Sequence, residues 1–241
     1  FMAFGLLPMA DQVAKDQFDA AAARVASGLR SVFEPPARLL AMGEAWLGGK
    51  APDLASPQDF NRIFKPVLEA SPELTSVVAG TSDGQGWLLL QQGGGRWRNR
   101  MSDVAAWGPG RHLLFNESPD GKVQQQWSEQ TYDPRQRPWF SGAMGRAAPH
   151  AVHWTAPYLF FTTGDPGITV SMRTRLADGR DLVLGLDVML RDLSHITMQA
   201  PVGAQGMALV LTSDDRVLAL PAGPAGSSES EWLRLALKPV T

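Results

Sequence analysis

Between positions 10 and 47 the apolar residues recur at helical spacing. Phe18, Ala22, Val25, Leu29 and Val32 alternate steps of four and three, which places them on one face of a helix. Ala, Leu, Arg and Gln, all good helix formers, dominate the stretch, and Asp11 stands where an N-cap would. The pattern predicts a helix over 10–47, kinked or interrupted at Pro35-Pro36, whose rings cannot donate to the helical ladder. The stripe is heptad-like but lasts only about two heptads, fewer than a coiled coil needs. It leaves two readings open: an amphipathic helix lying on its own domain, or a stalk that also pairs with a second chain.

Gly48-Gly49-Lys50-Ala51-Pro52 reads as a loop. Ser56-Pro57-Gln58-Asp59 then predicts a helix start, with Ser56 as cap, proline in the first turn and an acid behind it. Phe60, Ile63, Phe64, Val67 and Leu68 form its apolar face, and Ser71-Pro72 ends it. Beyond this point the period shortens. Leu74–Gly80, Gly86–Gln92 and Arg96–Met101 are short β-prone runs, the last two joined by Gly93-Gly94-Gly95. Pro119-Asp120-Gly121 and Asp178-Gly179 are hairpin signals, and Thr169–Leu176 with Asp181–Val188 form the clearest strand pair. Leu190–Met198 predicts a short helix, and Met207–Leu211 with Val217–Leu220 the start of another β unit. Pro221–Ser230 is rich in Gly, Pro and Ser and reads as a linker. The class is α+β: helices first, then an antiparallel sheet.

Composition narrows the function. The 241 residues suffice for one large domain or two small ones with a proper core. A net charge of −2 gives no electrostatic footprint for nucleic acid. Cysteine is absent, which excludes disulfides, thiolate metal sites and a cysteine nucleophile. No run approaches the ~20 apolar residues of a spanning helix. The apolar stretch Phe1–Met9 admits two readings, the tail of a membrane helix or an ordered apolar N-terminus. No P-loop, dinucleotide fingerprint, EF-hand or nucleophile elbow is present, so no catalytic residue, no cofactor and no enzyme activity are expected. His150 and His153 have metal-like spacing, but Pro149 and the β-like segment around His153 argue against a helix, and no metal is expected. Arg96-Trp97-Arg98-Asn99-Arg100 reads as an ordinary solvated hairpin.

One segment is more specific. Tyr132-Asp133-Pro134-Arg135-Gln136-Arg137-Pro138-Trp139-Phe140 closely resembles the Y-D-P-R-x-R-P-W-[YF] signature of double Cache sensor domains. Trp154–Tyr158, Gly167–Ser171 and Leu184–Val188 resemble further family elements, in the family's order. The resemblance implies a long N-terminal stalk helix (1–51), a membrane-distal, PAS-like antiparallel β-sheet module (52–200) and the start of a membrane-proximal module (201–241). The last piece is too short for a full second sheet. Such a chain would be the extracytoplasmic, periplasmic small-molecule sensor of an inner-membrane signalling receptor, of the chemoreceptor, sensor kinase or nucleotide cyclase type. The alternative is a soluble periplasmic binding or protein-interaction module without transmembrane signalling of its own.

The same resemblance implies a ligand site at Tyr132, Arg137, Trp139, Phe140, Tyr158, Phe160 and Asp187. A guanidinium holds a carboxylate through two charge-assisted bonds, aromatic rings give rigid walls, and an inward carboxylate accepts from an ammonium. Two positions depart from the family's amino-acid pattern: Phe140 replaces a frequent Tyr, and Phe160 replaces a second Asp. The expected ligand is therefore a small organic molecule, a carboxylate, amine or amino acid. Structural roles stand beside the functional ones. Arg137 would bond backbone carbonyls, Trp139 would anchor the following helix in the core, and Asp187 would cap the helix near Leu190. Asp133 is expected to shape the turn at Pro134. The stalk reading of the N-terminal helix implies a homodimer.

Overall fold

The computed structural model describes residues 6–47, 49–54, 56–198, 209–213 and 215–219. The predicted Pro221–Ser230 linker and most of the expected 201–241 module lie outside them. In chain order the elements are α1 (Leu6–Leu47), α2 (Gln58–Ala70), β1 (Ser76–Thr81), β2 (Gln85–Gln91), β3 (Trp97–Asp103), a one-turn α3 (Val104–Trp107), β4 (His112–Glu117) and β5 (Val123–Ser128). A single 3-10 turn (Pro134–Gln136) and α4 (Pro138–Met144) follow. Then come β6 (His153–Trp154), β7 (Tyr158–Leu159), β8 (Pro166–Arg175), β9 (Asp181–Met189), α5 (Leu190–Met198), β10 (Val210–Leu211) and β11 (Val217–Ala219). This is the expected α+β arrangement of a long N-terminal helix and an antiparallel, PAS-like sheet. Among the described residues no helix is long and apolar enough to cross a membrane.

Three sequence expectations are corrected at the helices. α1 runs through Pro35 and Pro36 without a break. Each ring forfeits one N–H, but the fixed φ of proline is itself helical, and tertiary packing holds the segment. Pro36 and Leu40 are buried, and a Cβ on Gly43 would lie 2.8 Å from Leu184 Cδ2 and 3.1 Å from Phe64 Cε1. The stripe of the first half is also offset: Ala21 is buried, while Phe18 and Ala22 are exposed. Ser56 does not cap α2. Its hydroxyl donates to Gln58 Oε1, and Pro57 occupies the N-cap with no side-chain cap bond.

The chain divides into two compact units, one of Pro35–Thr155 and Ile168–Val188, the other of Phe1–Glu34, Ala156–Gly167 and Met189–Thr241. The first holds the sheet, in the order β5-β4-β3-β2-β1-β9-β8-β6. Register sorts its side chains onto two faces. Leu184, Ala79, Trp87 and Met101 lie opposite one another, as do Leu186, Val77, Leu89 and Asn99. This face carries α2 and the second half of α1. Asn61 and Asn99 exchange amide hydrogen bonds of 2.9 and 2.7 Å across it, and Lys65 lies over the Trp97 ring. Both amides are buried, so each satisfies the other's desolvated groups.

The opposite face is polar and low in side-chain volume. It presents Ser76, Val78 and Gly80 on β1, Gly86 and Leu88 on β2, Arg98, Arg100 and Ser102 on β3, and Gly185 and Asp187 on β9. The segment from Tyr132 to Met144 covers part of it. A Cβ on Gly80 would meet Pro134 Cβ and Trp139 Cη2 at 3.0 Å, so glycine is what lets this segment lie against the strand.

In the other unit, the first half of α1 packs on α5 so closely that a Cβ on Gly28 would come within 2.5 Å of Ile196 Cγ2. Leu193 of α5 is buried, β10 and β11 form a two-stranded sheet, and β7 pairs with the first residues of β8.

Candidate functional site

The signature segment folds by local rules. Asp133 caps the 3-10 turn: its Oδ1 accepts from the Arg135 N–H at 2.9 Å, and its carboxylate pairs with the Arg135 guanidinium at 2.8 Å. Those bonds hold the Asp133 carboxyl below the usual carboxylate range, the Arg135 side chain contributing most. Pro138 then occupies the first turn of α4, where its missing N–H costs nothing. The result fixes Tyr132, Arg137, Trp139 and Phe140 against the polar face of the sheet.

Trp139 and Phe140 are both buried, edge to face at 5.6 Å between ring centroids, over Gly80. The Trp139 carbonyl accepts from Ser171 Oγ on β8 at 2.8 Å. These two rings hold α4 in the core. Tyr132 is also buried, and its ring lies 3.7 Å from the guanidinium carbon of Arg100. Asp187 sits inside β9 and is 4% exposed, so it does not cap α5. Its Oδ2 accepts from Ser76 Oγ at 2.5 Å and its Oδ1 from Thr169 Oγ1 at 2.6 Å.

Arg100 corrects the sequence reading most sharply. Its stretch was expected to be a solvated hairpin, yet Trp97, Asn99 and Arg100 are buried, Arg100 to 4% exposure. Both faces of β3 are covered, so alternation buries apolar and polar positions alike. Arg100, Arg137 and Asp187 are close enough for mutual electrostatic influence. Burial pushes the Asp187 carboxyl up to about 6, although the two hydroxyl bonds and both guanidiniums pull the other way. Burial first, and the Arg137 charge with it, lower the Arg100 pKa, opposed by Tyr132 and Asp187. His112 on β4 is buried beside the same arginine. Burial first and the Arg100 charge second lower it to about 4, so its imidazole is neutral at physiological pH.

The structure thus brings four groups into one cluster: Arg100, Tyr132 and Asp187, all buried, and Arg137, which is half-buried. Ser76, Thr169 and His112 support it. Of the remaining expected site residues, Trp139 and Phe140 lie in the adjacent core. Tyr158 and Phe160 belong to the other unit, on and just after β7, with ring centroids 5.3 Å apart. The two histidines of the H-x-x-H spacing are engaged separately. His150 Nδ1 bonds Glu44 Oε2 at 2.8 Å, and His153 Nδ1 faces Arg146 at 3.1 Å. Among the described residues no cluster of three metal-ligating side chains occurs.

No family model matches the chain. Its sequence is similar to curated proteins over parts of their length. It is 26% identical to the methyl-accepting chemotaxis protein McpA of Bacillus subtilis over 103 residues, 42% of this chain and 15% of McpA. McpB of Bacillus subtilis is 31% identical over 103 residues, again 42% of this chain and 15% of that protein. Adenylate cyclase 1 of Rhizobium meliloti is 32% identical over 85 residues, 35% of this chain and 12% of the cyclase. The chain therefore spans 15% or less of the length of these relatives. Solved structures match more of it. The ligand-binding domain of the Pseudomonas fluorescens chemoreceptor CtaA in complex with L-serine superposes with a TM-score of 0.57 at 16% identity, covering 88% of this chain and 73% of that one. That of the Campylobacter jejuni chemoreceptor Tlp3 in complex with L-norvaline gives 0.58 at 15% identity, covering 91% and 73%. The chain has the fold of the double Cache, PAS-like sensor domains of bacterial chemoreceptors.

Proposed function

We propose that this chain is the extracytoplasmic sensor part of a membrane signalling receptor and binds a small organic ligand at the polar face of its main sheet. The observation that carries the reading is the cluster of buried Arg100, Tyr132 and Asp187 with half-buried Arg137. A buried guanidinium and a buried carboxylate beside a second, half-buried guanidinium are costly to a fold unless they do something for it. Strongly perturbed ionisable groups gathered beside a signature segment mark a functional site. The ligands named for CtaA and Tlp3, L-serine and L-norvaline, place amino acids and related small acids among the compounds to test.

In this reading residues 52–200 form the membrane-distal module, 201–241 begin the proximal one, and Tyr132, Arg137, Trp139, Phe140 and Asp187 lie around the ligand. The parent protein sits in the inner membrane with this part in the periplasm, and the likeness to chemotaxis proteins and a cyclase supports a signalling output. Val13 and Phe18, exposed on α1, are where a second copy would pack. A ligand shifts such a receptor only by its differential affinity for the two signalling states.

A thermal-shift screen with amino acids, short carboxylates, amines and purines tests the site. A ligand at 100 times its dissociation constant stabilises by about 2.7 kcal/mol, which raises the midpoint of a chain this size by roughly 5–10 °C. The shift is expected in the native protein and absent from a folded Arg137→Ala. A shift that survives Arg137→Ala unchanged would move the ligand elsewhere.

A further inference from the structure

We infer that a polar cleft at the turn end of β2, β3, β4 and β5 binds a small polyhydroxylated anion, a sugar acid or a sugar phosphate. Arg96 and Arg98 belong to the stretch whose sequence reads as a solvated hairpin. Here they line the cleft together with Asn116, Ser118, Lys122 and Gln124. Its volume is about 550 Å³, inside the roughly 300–1,000 Å³ of small-molecule sites. It lies wholly within the unit that holds the sheet, and none of its lining residues belongs to the cluster around Asp187.

Strand register builds the cleft. Arg98 lies opposite Asn116, and Asn116 opposite Gln124, so a guanidinium and two carboxamides form one row across β3, β4 and β5. Two turns bring Arg96 and Lys122 to the end of that row. The Gln92 N–H donates to the Arg96 carbonyl and the Ser118 N–H to the Lys122 carbonyl, each at 2.9 Å. Arg98 Nε donates to Asn116 Oδ1 at 2.7 Å, which fixes the plane of its half-buried guanidinium before any ligand arrives. The two terminal nitrogens of Arg98 meet no acceptor among the described residues, and neither does the exposed Arg96 guanidinium.

The pairing of charges leaves a positive surplus. Glu117, the acid in the lining, has both carboxylate oxygens 2.6 Å from Lys65 Nζ, and Asp120 pairs with Lys122 at 2.6 Å. Those pairs cancel, and Arg96 and Arg98 remain as two cations without a matching acid among the described residues. Planar guanidinium forks match the oxygens of a carboxylate or a phosphoryl group. The rest of the lining suits hydroxyls. Gln92 and Gln124 each offer amide donors and an acceptor, and Asn116 keeps its NH₂ donors while its oxygen holds Arg98. Trp97, between the two arginines, points to the other face of the sheet, buried with Lys65 over its ring, so no nucleobase can stack on it.

The experiment is calorimetric titration of the whole 241-residue chain, at neutral pH and low salt, with glucuronate, glucose-6-phosphate, glucose and orthophosphate. At least one anionic sugar is expected to bind about tenfold or more tightly than glucose, which lacks the charge, and than orthophosphate, which lacks the sugar hydroxyls. The order of glucuronate and glucose-6-phosphate tells whether the anion is a carboxylate or a phosphoryl group. Arg98→Gln and Arg96→Gln are each expected to weaken the tighter sugar about tenfold. Glucose bound as tightly as the anionic sugars overturns the inference, and so does orthophosphate bound as tightly. Binding of none of the four compounds overturns it as well. Unchanged affinity in either folded variant places the anion elsewhere and overturns it. If Arg98→Gln does not fold, Arg96→Gln, in an exposed turn, decides with the native titrations.

Discussion

Replacing Trp139 with alanine is expected to destabilise the fold by about 3–5 kcal/mol, the range for truncating a fully buried aromatic residue, and to lower the midpoint by roughly 10 °C or more. The reason is the place of the ring. Trp139 is 2% exposed, sits over Gly80 and meets Phe140 edge to face. The backbone bond from Ser171 survives the substitution, so the cost is that of the cavity and the lost contacts. Circular dichroism melts or urea titration of the two proteins measure it. A loss below about 1 kcal/mol, with ligand shifts abolished, would make Trp139 a wall of open ligand space rather than core.

The second large effect concerns Asp187 and acid. Its carboxyl is pushed up to about 6 in the folded chain, from an ordinary 3.8. A folded pKa above the unfolded one means the native state binds the extra proton. The contribution to stability is then complete below about pH 4 and is lost as pH rises through about 6. A shift of that size corresponds to roughly 3 kcal/mol. Asp187→Asn has no such charge to desolvate. Its stability relative to the native chain is therefore expected to rise by about that amount between pH 4 and pH 7.5. Denaturant midpoints of both proteins across the interval supply the difference. A flat difference would mean that the attraction of the Arg100 and Arg137 charges fully compensates burial.

Much of the fold was legible because local rules and tertiary packing agree. The apolar face Phe60, Phe64, Val67 and Leu68 is buried on α2 as its period predicts, and β8 and β9 lie where the alternating runs flank Asp178-Gly179. The failures fall where distant residues decide. Pro35 and Pro36 break helices by the local rule, but burial of Pro36, Leu40 and Gly43 outweighs two lost hydrogen bonds. Phe18 has the right spacing for a buried stripe and is 61% exposed, because the helix turns Ala21 inwards instead.

The candidate cluster was legible in part. The family resemblance named Tyr132, Arg137 and Asp187 among the candidates. Arg100 escaped, since three arginines among five residues look like a solvated strand. The strand does alternate, with Arg98, Arg100 and Ser102 opposite Trp97, Asn99 and Met101. That alternation marks a polar face. It says nothing about which segment covers it, and here Tyr132, far along the chain, covers Arg100. Ser76 and Thr169 had no signal at all beyond lying on strands, and only sheet order brings them to Asp187.

Hydrogen exchange read by mass spectrometry locates the ligand most directly. The whole chain is exchanged with and without the compound that raises its midpoint most. Binding at the polar face predicts slower exchange in peptides covering β3, residues 130–141 and β9, with α2 unchanged. Protection confined to α1, α2 or other surfaces, with β3 and residues 130–141 unaffected, would contradict the assignment of this cluster as the ligand site.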